Sequence, residues 1–136
     1  MEDVFGAETC VIVGIGMDLV HIARVERLLS SKGHRALERL FTEEERRYSL
    51  ARMEPARHLA ARVAAKEAAF KALSGTARAH AISWREMEVV IGTHGRPELV
   101  LHGLARERAD HLGIARTWLT LTHDGATAAA FVVLER

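Results

Sequence analysis

Apolar positions along the chain change their period several times, and each change marks an element. Residues 11–17 (Val-Ile-Val-Gly-Ile-Gly-Met) form a short, wholly apolar run with β-branched residues, which reads as a buried strand. Gly14 and Gly16 weaken that strand and point to another backbone, or a ligand, passing close by. Asp18 stands at the end of the run, and Ile22, Val25, Leu28 and Leu29 then recur at helical spacing until Gly33. A second helical patch over residues 36–40 leads to Thr42-Glu-Glu-Glu45, in which the Thr and the third-following Glu form a capping box. The helix it starts ends before Glu54-Pro55. Pro55 suits the first turn of a further helix and Gly75 the residue just past its end, so that helix spans about 55–74.

In the second half, residues 86–91, 98–102, 116–122 and 127–134 read as strands, with a short helix over 104–112 between the middle two. Turn signals at Gly92-Thr-His-Gly95 and His123-Asp-Gly125 make the first and last strand pairs antiparallel hairpins. The pattern predicts an α+β fold, with helices collected on one side of a mainly antiparallel sheet that the N-terminal strand joins.

Composition narrows the function classes. A chain of 136 residues that is 49% hydrophobic and 27% charged suits one compact domain over residues 11–136, behind a loosely held extension at 1–10. Nineteen Lys and Arg against eighteen Asp and Glu leave a charge of +1, so no broad positive field argues for nucleic-acid binding. The single Cys10 cannot close an internal disulfide, and the first ten residues lack a basic leader region, which suits the reducing cytoplasm. No apolar run is long enough for a bilayer, so no membrane association is expected.

The helix over 55–74 poses a problem of charge. Leu59, Val63, Phe70 and Leu73 share one stripe, while Ala61, Ala65, Ala68, Ala69 and Ala72 cover the other side. Charges on a helix apolar nearly all round must be paired, bound to a ligand or able to reach water. Lys66 falls in the middle of the apolar stripe, Glu67 and Lys71 on one flank, and Arg62 on the other. Spacing alone also allows an ordinary Glu67–Lys71 helix pair worth about 0.2–0.5 kcal/mol, and an alanine face that is simply wet. Asp18 is equally open: a helix N-cap, or a carboxylate that meets Glu67 and holds Mg²⁺ together with substrate phosphates.

Other motifs carry less. Gly14-Ile-Gly16 begins like a dinucleotide-binding loop but has Leu19 where the third glycine is needed. Eight histidines offer no zinc-binding spacing, Cys10 has no neighbouring base in sequence, and no serine has a nucleophile-elbow context.

Three separated stretches line up with one family. Gly14-Ile-Gly-Met-Asp18 with Arg24 following, Phe41-Thr-Glu-Glu-Glu45 leading into residues 59–72 (LAARVAAKEAAFKA), and Trp118-Leu-Thr-Leu-Thr-His123 before the last strand occur in the family's order. The sequence resembles the holo-acyl-carrier-protein synthases, the small group of 4′-phosphopantetheinyl transferases. That resemblance implies Mg²⁺-dependent transfer of the phosphopantetheine arm of coenzyme A to a serine of an apo acyl carrier protein, from fatty-acid or polyketide synthesis, with release of adenosine 3′,5′-bisphosphate. It implies Asp18 and Glu67 as metal ligands, and Asp18, Glu67 and Lys71 as the catalytic set, with Lys71 facing the diphosphate. Arg62, Lys66, Lys71, Gly75 and His123 would serve the coenzyme, and Arg24 would meet the acidic carrier. Glu67 is the nearest candidate base for the serine proton. A homotrimer with coenzyme sites between neighbours is also implied. Many relatives continue Leu-Gly-x-Gly after the motif helix, whereas this chain has Leu73-Ser-Gly-Thr-Ala77, and Thr120 stands where the usual residue is Ser. The rival class is a non-catalytic coenzyme A or nucleotide-binding module, which could dispense with the metal.

Overall fold

A computed structural model describes residues 9–31 and 33–136, so the expected N-terminal extension lies, up to residue 8, outside the described residues. The chain runs β1 (Ile12–His21), α1 (Ile22–Ser31), α2 (Gly33–Leu40), α3 (Glu43–Leu50), α4 (Pro55–Leu73), β2 (Met87–Ile91), β3 (Pro97–Leu101), α5 (Gly103–Leu112), β4 (Arg116–Asp124) and β5 (Thr127–Glu135). The fold is α+β with antiparallel pairing throughout, as the sequence predicts. Pairing is divided between two sheets, however: β1-β5-β4 form one and the β2–β3 hairpin the other. The Thr117 hydroxyl donates to the Leu99 carbonyl, joining β4 to β3 at 3.2 Å without a backbone ladder.

Alternation along the three-stranded sheet decides which residues meet α4. Ala128, Ala130, Val132 and Leu134 of β5 and Val20 of β1 are buried on the inner face, where α4 lies across β1 and β5. Of the alanine face, Ala65, Ala68 and Ala69 are wholly buried and Ala72 is buried, while Ala61 is half-buried, so that face of α4 is packed rather than wet. The glycines permit this. A Cβ on Gly16 would overlap the Ala68 carbonyl and lie 2.7 Å from its carbon, and one on Gly14 would stand 3.2 Å from the Ala72 carbonyl carbon. The close approach inferred from sequence is therefore by another backbone, that of α4. On the outer face Ile15, Met17 and Leu19 of β1, Phe131 of β5 and Trp118 of β4 remain exposed.

Caps fix the helix starts. Thr42 and Glu45 form the expected capping box at α3, Thr42 accepting from the Glu45 N–H and the Thr42 N–H donating to Glu45 Oε1. Pro55 opens α4. Gly75, with φ of +123°, follows the cap residue Ser74, in a backbone conformation that suits glycine.

Candidate active site

β1 continues to His21, so Asp18 sits within the strand and is not the N-cap of α1. Strand parity places it on the same inward series as Gly14 and Gly16. The two glycines bring α4 close, and the acid that follows them meets the α4 side chains one turn away.

At that meeting point lie Asp18, Glu67 and Lys71. Lys71 Nζ donates to Asp18 Oδ1 at 3.1 Å and to the Met17 carbonyl at 3.0 Å. The Asp18 side chain is 15% exposed and that of Lys71 is 55% exposed. Asp18 Oδ2 is buried and finds no donor while both acids are ionised. A side-chain hydrogen bond links the Asp18 and Glu67 carboxyls, and the two titrate as a pair. Burial, then the hydrogen bond to Asp18 and its charge, push the Glu67 carboxyl up to about 7, against the opposing charges of Arg24 and Lys71. For Asp18, burial acts upward, but the hydrogen bond with Glu67 and the contact with Lys71 outweigh it and hold the group below its ordinary value. Such a repelling pair of hard oxygen donors, one with an orphaned buried atom, suits a hard divalent cation whose shell substrate phosphates complete.

Arg24 is exposed on α1, and its charge reaches Glu67, so the residue expected to meet a partner lies beside the acid pair. Glu67 and Lys71 also line a hollow of 390 Å³ with Phe70, His80, Ile82, Trp84 and Met87. A second hollow, of 230 Å³, brings Arg62 and His123 together with Arg57, His58 and Tyr48. Arg62 is 2% exposed, donates to the His58 carbonyl at 3.1 Å and lies over the Tyr48 ring at 4.6 Å. Arg52 covers the same ring at 3.9 Å. Burial and the charges of Arg62, Arg57 and Arg52 depress the His58 imidazole, which marks the region as electropositive. Gly75 stands apart from both hollows, beside Arg108, which donates to the Leu73 and Ser74 carbonyls at the end of α4.

Lys66 corrects an expectation. The resemblance implies that it serves the coenzyme. It is instead wholly buried, and its ammonium donates to Glu45 Oε1 at 2.8 Å, the Trp84 carbonyl at 2.9 Å and the Met87 carbonyl at 2.7 Å. Three donors meet three acceptors, which leaves none for a ligand phosphate. Sequence reading missed the partner, Glu45, because the helix cap already explained it. The available signal was an acid buried by its own cap and a lysine in mid-stripe with no mate on its own helix.

The chain is similar to known proteins over most of its length. Residues 14–131 match the 4′-phosphopantetheinyl transferase superfamily. The chain is similar to a holo-[acyl-carrier-protein] synthase of Geobacter sulfurreducens, 46% identical over 92% of this chain and 98% of that protein. Among solved structures it is similar to holo-[acyl-carrier-protein] synthase from Neisseria meningitidis, at 31% identity and a TM-score of 0.80, over 93% of this chain and 100% of that one. It is also similar to a holo-(acyl-carrier-protein) synthase from Bacillus anthracis in complex with CoA (3′,5′-ADP). There the identity is 32% and the TM-score 0.72, over 91% of this chain and 96% of that one.

Proposed function

Because the chain belongs to the 4′-phosphopantetheinyl transferase superfamily, we propose that it moves the phosphopantetheine arm of coenzyme A onto a serine of an apo acyl carrier protein. The observation that carries this reading is the Asp18–Glu67 pair, with Lys71 bonded to Asp18 and with Glu67 and Lys71 lining a hollow. A bound Mg²⁺ on Asp18 and Glu67 would supply charge stabilisation at the coenzyme diphosphate.

The remaining chemistry belongs to this chain's own groups. Lys71 faces the diphosphate and offsets the charge that grows on the phosphoryl oxygens. The serine oxygen bonds to the phosphorus that bears the pantetheine, the diphosphate P–O bond breaks, and adenosine 3′,5′-bisphosphate leaves already charged. Glu67, in its ionised form, is the nearest carboxylate to receive the serine proton. Arg62 and His123, with the cations around them, serve the nucleotide end, and Arg24 steers the acidic carrier to the acid pair.

Glu67 and Lys71 line one hollow, and Arg62 and His123 another. The exposed apolar outer face of β1-β5-β4, where Met17 is 61% and Leu19 65% exposed, supports a homotrimer in which neighbouring copies cover that face and complete the site. A cytoplasmic enzyme of fatty-acid or polyketide synthesis is the setting that this chemistry serves. The test is release of adenosine 3′,5′-bisphosphate from coenzyme A, followed by chromatography with and without apo carrier. Release that needs both carrier and Mg²⁺ supports transfer. Release without carrier means hydrolysis, and no release under any condition means a binding module.

A further inference from the structure

The interior ammonium of Lys66 is unused by the mechanism above, yet it borders the hollow that the mechanism opens onto. Lys66 and Glu67 are consecutive on α4 and so point about 100° apart. Glu67, Phe70 and Lys71 form one wall of the 390 Å³ hollow, and His80, Ile82, Trp84 and Met87 form the facing wall. Met87 pairs with Leu101 of β3 and is buried with Ile82 in the core, but the backbone of Trp84 lies in a short 3₁₀ turn outside the β2–β3 ladder. The two bonds from Lys66 Nζ to the Trp84 and Met87 carbonyls tie the facing wall to α4, at 2.9 and 2.7 Å.

Glu45 keeps that ammonium in the interior. Its Oε1 accepts from Lys66 and from the Thr42 N–H, and its Oε2 accepts from the Val89 N–H at 3.0 Å, so α3, α4 and β2 meet on one carboxylate. The tie extends further, since Thr42 Oγ1 donates to Glu88 Oε2 at 2.5 Å and His102 Nε2 lies 3.1 Å from Glu88 Oε1. A buried pair is weak evidence for stability by itself, but it is well suited to fixing register between elements.

We propose that Lys66 is a positioning residue that sets the width of the hollow beside Glu67, and that the hollow takes the amide-linked, largely apolar arm of the coenzyme beyond its diphosphate. This rests on the coenzyme reading of the acid pair. Charge on Lys66 is needed only to hold the wall, and no part of the ligand touches it.

The experiment compares coenzyme A with adenosine 3′,5′-bisphosphate, which lacks the arm, on the whole protein. Lys66→Met removes both carbonyl ties at similar length. It should raise KM for coenzyme A about tenfold and change kcat less, while bisphosphate affinity by calorimetry stays within about twofold. In a Trp118→Phe background Trp84 is the only tryptophan. Its emission should shift on binding coenzyme A but not bisphosphate, and Lys66→Met should shift it without ligand. Glu45→Gln keeps the cap and the lysine but removes the counter-charge, so it carries the same comparison should Lys66→Met fail to fold. Equal loss for both ligands, or unchanged coenzyme KM in a folded variant, overturns the proposal. A wild type that binds coenzyme A but transfers nothing refutes the transfer reading instead, while the two-ligand comparison still judges Lys66.

Discussion

Replacing Gly16 by alanine probes the contact that brings the acid pair together. The new methyl would overlap the Ala68 carbonyl and stand 2.7 Å from its carbon, against backbone that cannot swing aside as a side chain can. An ordinary contact needs about 3.5 Å or more, so β1 and α4 must part locally by roughly 1 Å. Inserting a methyl into a packed interface typically costs about 1–3 kcal/mol. With Ala64, Ala65 and Ala68 all wholly buried at this seam, the upper end applies. For a domain of this size about 3 kcal/mol lowers Tm by about 10 °C. Asp18 is two residues along the strand from the methyl, and displacement by about 1 Å at a reacting centre can cost about 100-fold in rate. Thermal unfolding and a transfer assay below the lowered Tm read the two effects separately. Gly33→Ala is the control: unlike Gly16, Gly33 has a positive φ, of +44°, but nothing lies within 4 Å of the new methyl. It should lose about 1–2 kcal/mol through backbone strain alone and keep full activity. A Gly16→Ala protein as stable and as active as wild type would refute the account of the seam.

Other outcomes follow from the same contacts. The raised Glu67 carboxyl makes the metal-free protein lose stability with rising pH. Its folded value near 7 lies above the unfolded value of about 4.3, so this contribution is complete below that unfolded value and lost as pH climbs through 7. Tm measured in chelator should therefore fall between about pH 5 and pH 8 by this contribution, and Glu67→Gln should flatten the slope. Asp18, held below its ordinary value, acts the opposite way and only at lower pH, where its contribution is lost as the pH falls through its folded value. Arg24→Ala should weaken carrier binding and its salt dependence while sparing coenzyme affinity, read by titration calorimetry at two ionic strengths. Leu19→Lys, on the exposed face of β1, should dissociate the proposed trimer in light scattering; an unchanged mass would move the interface elsewhere.

Much of this architecture was legible because local signals agreed with tertiary ones. The Thr42–Glu45 box, Pro55, Gly75 and the turn at 92–95 are short-range signals that stand where the sequence puts them, while the turn expected at 123–125 falls at 125–126, because His123 and Asp124 pair with β5. The end of β1 was misread because Leu19 and Val20 continue equally well as strand or helix, and only pairing with Ala129 and Ala128 of β5 decides for strand. Division into two sheets depends on whether β3 and β4 share a ladder, which strand pattern does not encode. Within the site, Asp18, Glu67 and Lys71 meet as the sequence suggested, and Arg62 and His123 share a hollow. The placement of Lys66 was hidden because its partners are 18 and 21 residues away, and an apolar stripe looks the same whether it faces a groove or a core.

The central claim is that the acid pair of β1 and α4 serves transfer to a carrier serine, and the mass of the carrier tests it most directly. Wild-type protein, coenzyme A, Mg²⁺ and an apo acyl carrier protein are incubated together, and the carrier is weighed by mass spectrometry beside Asp18→Asn and Glu67→Gln reactions. The account predicts one phosphopantetheine added at the carrier serine by wild type, and at least about 100-fold slower addition by either variant. A carrier of unchanged mass with wild type, or full modification by Asp18→Asn and Glu67→Gln, would contradict it.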